Sequence, residues 1–373
     1  MDDEAGSVAL PARYDALLVS DHVALRCDQL MVAAQDLPRV PAGLRRWLAD
    51  PLPARAGVHR WPLRPGSGAD VRQLLADAGA EPVAAAVHLL RAAPRWRSGP
   101  ARPPVLLQAG PPPPAAADPA AVPVEVAVLD TGITPHPWFT DRAWFANVPA
   151  SESEVLDAGH SHPLDSVAGH GTFVAGVVQQ HGSSARLRIE RVLHCDGICD
   201  EVDLIEALHG LAADPRPPDV VNLSFGGFTH DDRASVLLDH AVTRLAAVSV
   251  VVAAAGNAGS ERPFWPAALP TVIAVGALDA TGTGPAAFSN HGPWVDTWAI
   301  GEDVCGAFVA AAPELPAAPG PEGCFARWSG TSFAAPAVAG KIAADLAAGV
   351  RTERTNLTVP ATFGVNRQAM VRQ

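Results

Sequence analysis

Four residues of this 373-residue chain combine side chains capable of nucleophilic chemistry with positions where such chemistry is commonly placed. Asp130 closes the apolar run VEVAVLD before Thr131 and Gly132 begin a turn, so its carboxylate stands at the mouth of a buried strand. His170 lies in AGHGTFVAGVV, between glycines that give the imidazole little steric cover, and the residues after it read as a helix start. Asn257 follows the strand-like SVVVAAAG and can project its amide from a strand end, as an oxyanion donor would. Ser332 lies in WSGTSFAAPAVAGKIAADLAAG, with its hydroxyl and amide at the positive end of a long Ala-rich helix, a place that favours an incoming oxyanion.

Each residue alone has an ordinary explanation. Asp130 could cap the next element, His170 could be a loop residue, Ser332 could be a helix N-cap, and Asn257 could serve turn chemistry. All four, however, fall at strand ends or helix starts, in the order Asp, His, Asn, Ser. The order Asp, His, Ser distinguishes the set from two other arrangements of the same triad types.

Elements that could hold these residues alternate from Val124 to about Gly349. VEVAVLD, DVVNLS, SVVVAAAGN and TVIAVGA read as buried strands separated by helical stretches. This implies right-handed crossovers and a mainly parallel sheet covered on both faces, with the site at the carboxyl ends of its strands. Before it, residues 96–122 are rich in Pro and Ala and are expected to be an extended, exposed linker outside helix and sheet. Residues 1–95 read as a small α/β unit, with strands at VALRC, VHRWPL and AAAVHLL and a helix starting in ADVRQLLADAG. Residues 351–373 read as a surface extension.

The blocks VAVLDTGI, GHGTFVAG, VVNLSFGG, AAAGNAG and GTSFAAPAVAG resemble the signature segments of the subtilase family of serine peptidases (peptidase S8). FSNHGPWVDTWAIGEDV is similar to the family's segment between the oxyanion Asn and the Ser, with Ile300 where Pro is more usual. The resemblance implies a subtilisin-like three-layer α/β fold over 123–350 and acyl transfer. Ser332 would be the nucleophile, His170 the proton carrier, Asp130 its orienting partner, and Asn257 with the Ser332 amide the oxyanion donors. It also implies that Ser224, Phe225, Gly226 and Gly227, with Ala254, Ala255 and Gly256, line a cleft where a peptide or protein substrate binds as an extended strand. Phe333 stands where many relatives carry Met, which removes an oxidisable thioether; core packing accounts for it equally. From about Asp15 to Ala93 the chain resembles the propeptide of these enzymes, a folding chaperone and intramolecular inhibitor. A retained domain that recruits partners is the alternative. The expected function is a serine endopeptidase, with precursor processing favoured over broad degradation; a catalytically silent binding or regulatory protein on the same scaffold is the rival.

The rest of the sequence narrows these readings. A formal net charge of −12 argues against a nucleic-acid partner. Neither a basic, apolar leader nor an 18-residue apolar run is seen, so a cytoplasmic protein without a membrane partner is expected. The five cysteines do not form a dense disulfide framework. His160, His162 and Asp165 could suggest zinc, but they sit in a polar loop and His170 is already claimed, and no loop has an EF-hand ligand run, so no cofactor is expected and structural calcium is not indicated. NLS at Asn222 and NLT at Asn356 fit a glycosylation pattern, the first on a buried strand.

Overall fold

The computed structural model describes residues 16–20, 23–67, 70–78, 83–92, 104–155, 167–309 and 324–350. Its N-terminal unit comprises β1 (Ala16–Ser20), β2 (Val23–Ala33), the short helix α1 (Ala42–Arg45), β3 (Val58–Pro62), α2 (Val71–Ala78) and β4 (Ala84–Ala92). These include the three strands and the helix read from the sequence, with β1 added. β1 and β3 pair antiparallel with successive parts of one edge of β2, and β4 pairs antiparallel with its other edge. Leu25, Leu30, Val32, Leu44, Trp61, Val71 and Leu75 form a core between this sheet and its helices.

β5 (Val105–Leu107) follows, and then the large unit: β6 (Glu125–Asp130), α3 (Pro137–Thr140), α4 (His170–His181), β7 (Arg186–Arg191), β8 (Ile198–Asp200), α5 (Glu201–Ala213), β9 (Val220–Leu223), β10 (Phe225–Gly226), α6 (Val236–Ala246), β11 (Val250–Ala254), β12 (Ile273–Leu278), β13 (Thr297–Ile300), β14 (Val304–Phe308), β15 (Cys324–Trp328) and α7 (Thr331–Ala347). Its central sheet runs β13-β12-β11-β9-β6-β7, with every neighbouring pair parallel.

Alternation along the strands makes the layers. Val126, Val128, Val252 and Ala254 face one side, in a core shared with α4 and α7. Ala127, Leu129, Val251 and Ala253 face the other, in a core shared with α5 and α6. Burial of both faces explains the unbroken apolar runs in these strands. Gly182 lets α4 and α7 meet closely: a Cβ there would come 2.4 Å from the Gly340 carbonyl oxygen.

Most of the Pro/Ala-rich linker from residue 104 on is exposed, as expected, but part of it joins a sheet, which was not expected. Residues 105–107 pair antiparallel with β15 in a sheet ordered β14-β15-β5, and the ring of Phe325 covers Gly110 so closely that a Cβ would lie 2.4 Å from it. Prolines removed donors on either side of VLL but left its three residues able to add to an open strand edge. Among the described residues, no helix is long and apolar enough to cross a membrane.

Candidate active site

Asp130, Ser224 and Asn257 follow or end the parallel strands β6, β9 and β11 at their carboxyl ends, and the heads of α4 and α7 close over the same edge. His170 is the first residue of α4. Gly169 before it adopts φ 84°, and a Cβ there would meet the Phe308 ring at 2.6 Å, so glycine is needed for both backbone and space. His170 Nδ1 lies 2.7 Å from Asp130 Oδ1, and both side chains are fully buried. Asp130 Oδ1 also accepts the Thr131 N–H at 2.8 Å. The imidazole is packed edge-on against Trp328 and tilted against Phe333, with centroids 5.6 and 5.5 Å away. Its Nε2 has no hydrogen-bond partner among the described residues.

Ser332 is the second residue of α7, and a proline four residues later shapes its surroundings. Pro336 has no N–H to give the Ser332 carbonyl. That carbonyl instead accepts the Ser224 hydroxyl at 2.8 Å, while Ser332 Oγ donates to the Ser224 carbonyl at 2.8 Å. The nucleophile candidate is thereby fastened to the segment between β9 and β10. Asn222, buried in β9, donates Nδ2 to Ser224 Oγ at 2.9 Å and so belongs to this bracing, which places the NLS motif in the interior.

Asn257 is oriented by the residue beside the serine. Its Oδ1 accepts both the N–H and the hydroxyl of Thr331 at 2.8 Å, leaving Nδ2 buried with no acceptor among the described residues. A buried amide donor without an acceptor is costly, and it suits a site where negative charge develops. Asn290, whose role the sequence reading did not assign, anchors the Asn257 loop. Its Nδ2 donates to the Ala255 carbonyl at 2.7 Å, and its Oδ1 accepts the N–H groups of Ala258 and Ser260 at 2.9 and 3.1 Å. Gly256, at φ 94°, passes so close to this amide that a Cβ would lie 2.5 Å away.

The cleft residues are placed unevenly. Phe225 and Gly226 form β10, which is buried and pairs antiparallel with β4, Phe225 opposite Ala92 and Gly226 opposite Arg91. On the other side β8 pairs with β4, Leu89 opposite Asp200 and Leu90 opposite Cys199, so the end of β4, the last strand of the N-terminal sheet, lies between two strands of the large unit. Gly227 gives both backbone groups to Trp265 at 2.8 Å and turns its open side to Leu90. Ala254 and Ala255 are buried behind this groove, and the Gly256 N–H is held by Thr331 Oγ1 at 3.0 Å.

Polar contacts reinforce this docking. Arg60 reaches Asp200 at 2.9 Å and Asp203 at 2.5 Å, at the head of α5. Buried His88 on β4 sets Nδ1 2.9 Å from Glu201 Oε2, stacks on His230, and gives its own N–H to the same carboxylate oxygen at 3.1 Å. Glu201 Oε1 accepts the Ser235 hydroxyl at 2.5 Å.

Sequence reading also missed Glu154, which lies under the Asp130–His170 pair. Its carboxyl accepts from Thr131 Oγ1, the Gly169 N–H and Thr172 Oγ1 at 2.5, 2.8 and 2.8 Å. Burial pushes its pKa from 4.5 up to about 7, against the lowering effect of these donors, and the Asp130 charge adds to the rise. Cys199, Cys305 and Cys324 are free thiols, and burial raises the pKa of each. Among the described residues, no three or more His, Cys, Asp or Glu are grouped to hold a metal ion; His160, His162, Asp165 and residues 351–373 lie outside the described residues.

A parallel sheet with helices on both faces, carrying Asp130 at a strand end and His170 and Ser332 at two helix heads, is a three-layer α/β architecture. The chain belongs to the subtilase family, whose model matches residues 123–358. It is 33% identical over 227 residues to a thermophilic serine proteinase of Bacillus sp. (strain AK1), covering 58% of this chain and 50% of that protein. It is 30% identical over 234 residues to subtilisin E of Bacillus subtilis (strain 168), covering 59% and 54% of the two chains. With subtilisin BL of Lederbergia lenta the identity is 33% over 230 residues, covering 59% and 75%. The matched segment thus spans about half the length of the first two relatives.

Proposed function

We propose that this chain is a serine endopeptidase whose N-terminal unit acts as an inhibitor of its own cleft. The observation that carries the reading is the 2.7 Å contact of His170 with Asp130, with the His170 ring against Phe333 and the Asn257 amide oxygen on Thr331, the residues on either side of Ser332. In this mechanism the Ser332 hydroxyl leaves the Ser224 carbonyl and attacks the peptide carbonyl carbon, giving its proton to His170 Nε2. Asp130 steadies the imidazolium. Asn257 Nδ2 and the Ser332 N–H hold the tetrahedral oxyanion, and collapse expels the amine, which takes the proton from His170. Water then cleaves the acyl-enzyme by the same steps in reverse.

A peptide substrate would lie between β8 and β10, and the pairing of Leu89, Leu90, Arg91 and Ala92 with those strands supports such a mode. The same pairing supports inhibition, since β4 fills that position. Processing of a defined precursor is the finer part of the proposal, read by cleavage of a peptide library: a few related sequences support it, indiscriminate cutting removes it.

Fluorophosphonate labelling and intact mass of the full chain beside Ser332→Ala test the core reading. Labelling of wild type alone, with loss of the chain up to a point between Ala92 and Val105, is the expected outcome. The rival reading, a silent scaffold, draws on the engagement of Ser332 Oγ by Ser224 and of the cleft by β4. It predicts no labelling even after limited proteolysis has removed the N-terminal unit.

A further inference from the structure

We propose that Glu154 is a positioning residue for the Asp130–His170 pair, a second carboxylate that clamps the backbone on both sides of the imidazole and adds negative charge behind it. The inference rests on the catalytic reading above and assigns that site a further member.

The clamp is built from one side chain. Glu154 Oε1 takes the Gly169 N–H at 2.8 Å and the Thr131 hydroxyl at 2.5 Å, and Thr131 Oγ1 in turn takes the Gly171 N–H at 2.9 Å. Glu154 Oε2 takes the Thr172 hydroxyl at 2.8 Å. The residues immediately before and after His170, and the residue immediately after Asp130, are therefore tied to a single carboxyl. Moving Glu154 must change the separation and angle at which the two side chains meet.

The chemistry of the contacts points to the ionised form. Thr172 Oγ1 already accepts the Thr134 N–H at 2.9 Å, which leaves its proton for the carboxylate. Three donors and no acceptor converge on Glu154, an arrangement that favours charge. Burial opposes charge, and the balance near 7 means that Glu154 gains its charge across the neutral range. A group kept buried at that cost, beside an imidazole that must become cationic in the transition state, fits electrostatic support better than packing. The titratable groups around it are Asp130 at the end of β6 and His170 at the head of α4. Glu152, two residues earlier, is occupied outside by the Arg191 N–H and the Ser151 hydroxyl.

The test compares full-length wild type, E154Q and E154D by two readouts. One is the low-field proton resonance of the His170 Nδ1–Asp130 hydrogen bond in the ¹⁵N-labelled chain. The other is the pH dependence of Ser332 labelling by a fluorophosphonate. E154Q keeps the shape but loses the charge. Its low-field resonance is expected to move, its acidic limb of labelling to shift down by about half a pH unit or more, and its rate at pH 8 to fall about tenfold. E154D keeps the charge with a shorter reach, so it loses rate while its acidic limb stays near wild type. An unchanged resonance and limb in E154Q, with only a lower melting temperature, makes Glu154 structural and overturns the proposal. If E154Q does not fold, T172V removes one donor only, and an unchanged resonance there overturns it equally. A resonance that responds as expected in a wild type that never labels tells against the catalytic reading instead.

Discussion

Ala92 donates its backbone N–H to the Gly197 carbonyl at 2.8 Å while lying opposite Phe225, so a single residue is held between the turn before β8 and β10. Replacing Ala92 by Pro removes the donor. In the full chain carrying Ser332→Ala, A92P is expected to raise the affinity for a competing fluorescent peptide of sequence HLLRAA by about fivefold to tenfold, the worth of a backbone bond. Fluorescence anisotropy reads the change, and equal affinities would mean that β4 does not compete with a substrate strand.

The His88–Glu201 contact carries a prediction about cohesion between the two units. Both side chains are buried, and the Ser235 hydroxyl donates to the other oxygen of the Glu201 carboxylate. His88→Leu leaves Glu201 without its ring partner and is expected to cost about 3 kcal/mol, as breaking a buried pair does. His88→Leu with Glu201→Gln should recover much of that loss. Urea unfolding of the four combinations measures the coupling, and additive losses would show that the pair is not coupled.

Asn257 should act on turnover and hardly on stability. Its Oδ1 bonds to Thr331 can be kept by Asp, whereas the free Nδ2 donor cannot. Asn257→Asp is expected to lower kcat by about 100- to 1000-fold with little change in KM, the range for losing one oxyanion donor. An equal rise in KM would place Asn257 in ground-state binding instead.

Residues whose surroundings are local were legible before the structure was. Asp130 is announced by the apolar run that it ends, and Ser332 by the glycine and the Ala-rich helix on either side. Contacts between distant segments were not legible. The VLL of β5 is three residues among prolines, and its partner β15 begins at Cys324, so no local pattern marks the pairing. Glu154 sits in an irregular stretch with Glu152 two residues away, and only the fold distinguishes the one turned inward from the one turned out. AAAVHLL read as a strand, but nothing in its alternation says that its end adds to β10 rather than only to its own sheet.

His136 and Glu154 should put opposite pH slopes on stability over nearly the same window. His136 is buried with Nδ1 accepting the Trp138 N–H and Nε2 3.0 Å from the Cys324 carbonyl, and burial holds its pKa down to about 4 from 6.5. Between those values the unfolded chain binds the proton and the folded chain does not, so stability is lost as pH falls from about 6.5 to 4. Glu154 is the reverse case, raised from 4.5 to about 7: the folded chain holds the proton longer, so its contribution falls as pH rises through that interval. Each shift corresponds to roughly 3 kcal/mol at full extent, and the two largely cancel in wild type. Single variants separate them. The stability deficit of H136Q should shrink by about 3 kcal/mol from pH 7 to pH 4, whereas E154Q should gain on wild type by about the same amount from pH 4.5 to pH 8. Urea midpoints across pH measure both, and a constant difference between E154Q and wild type would mean that residue 154 does not change its protonation in the folded chain within this range.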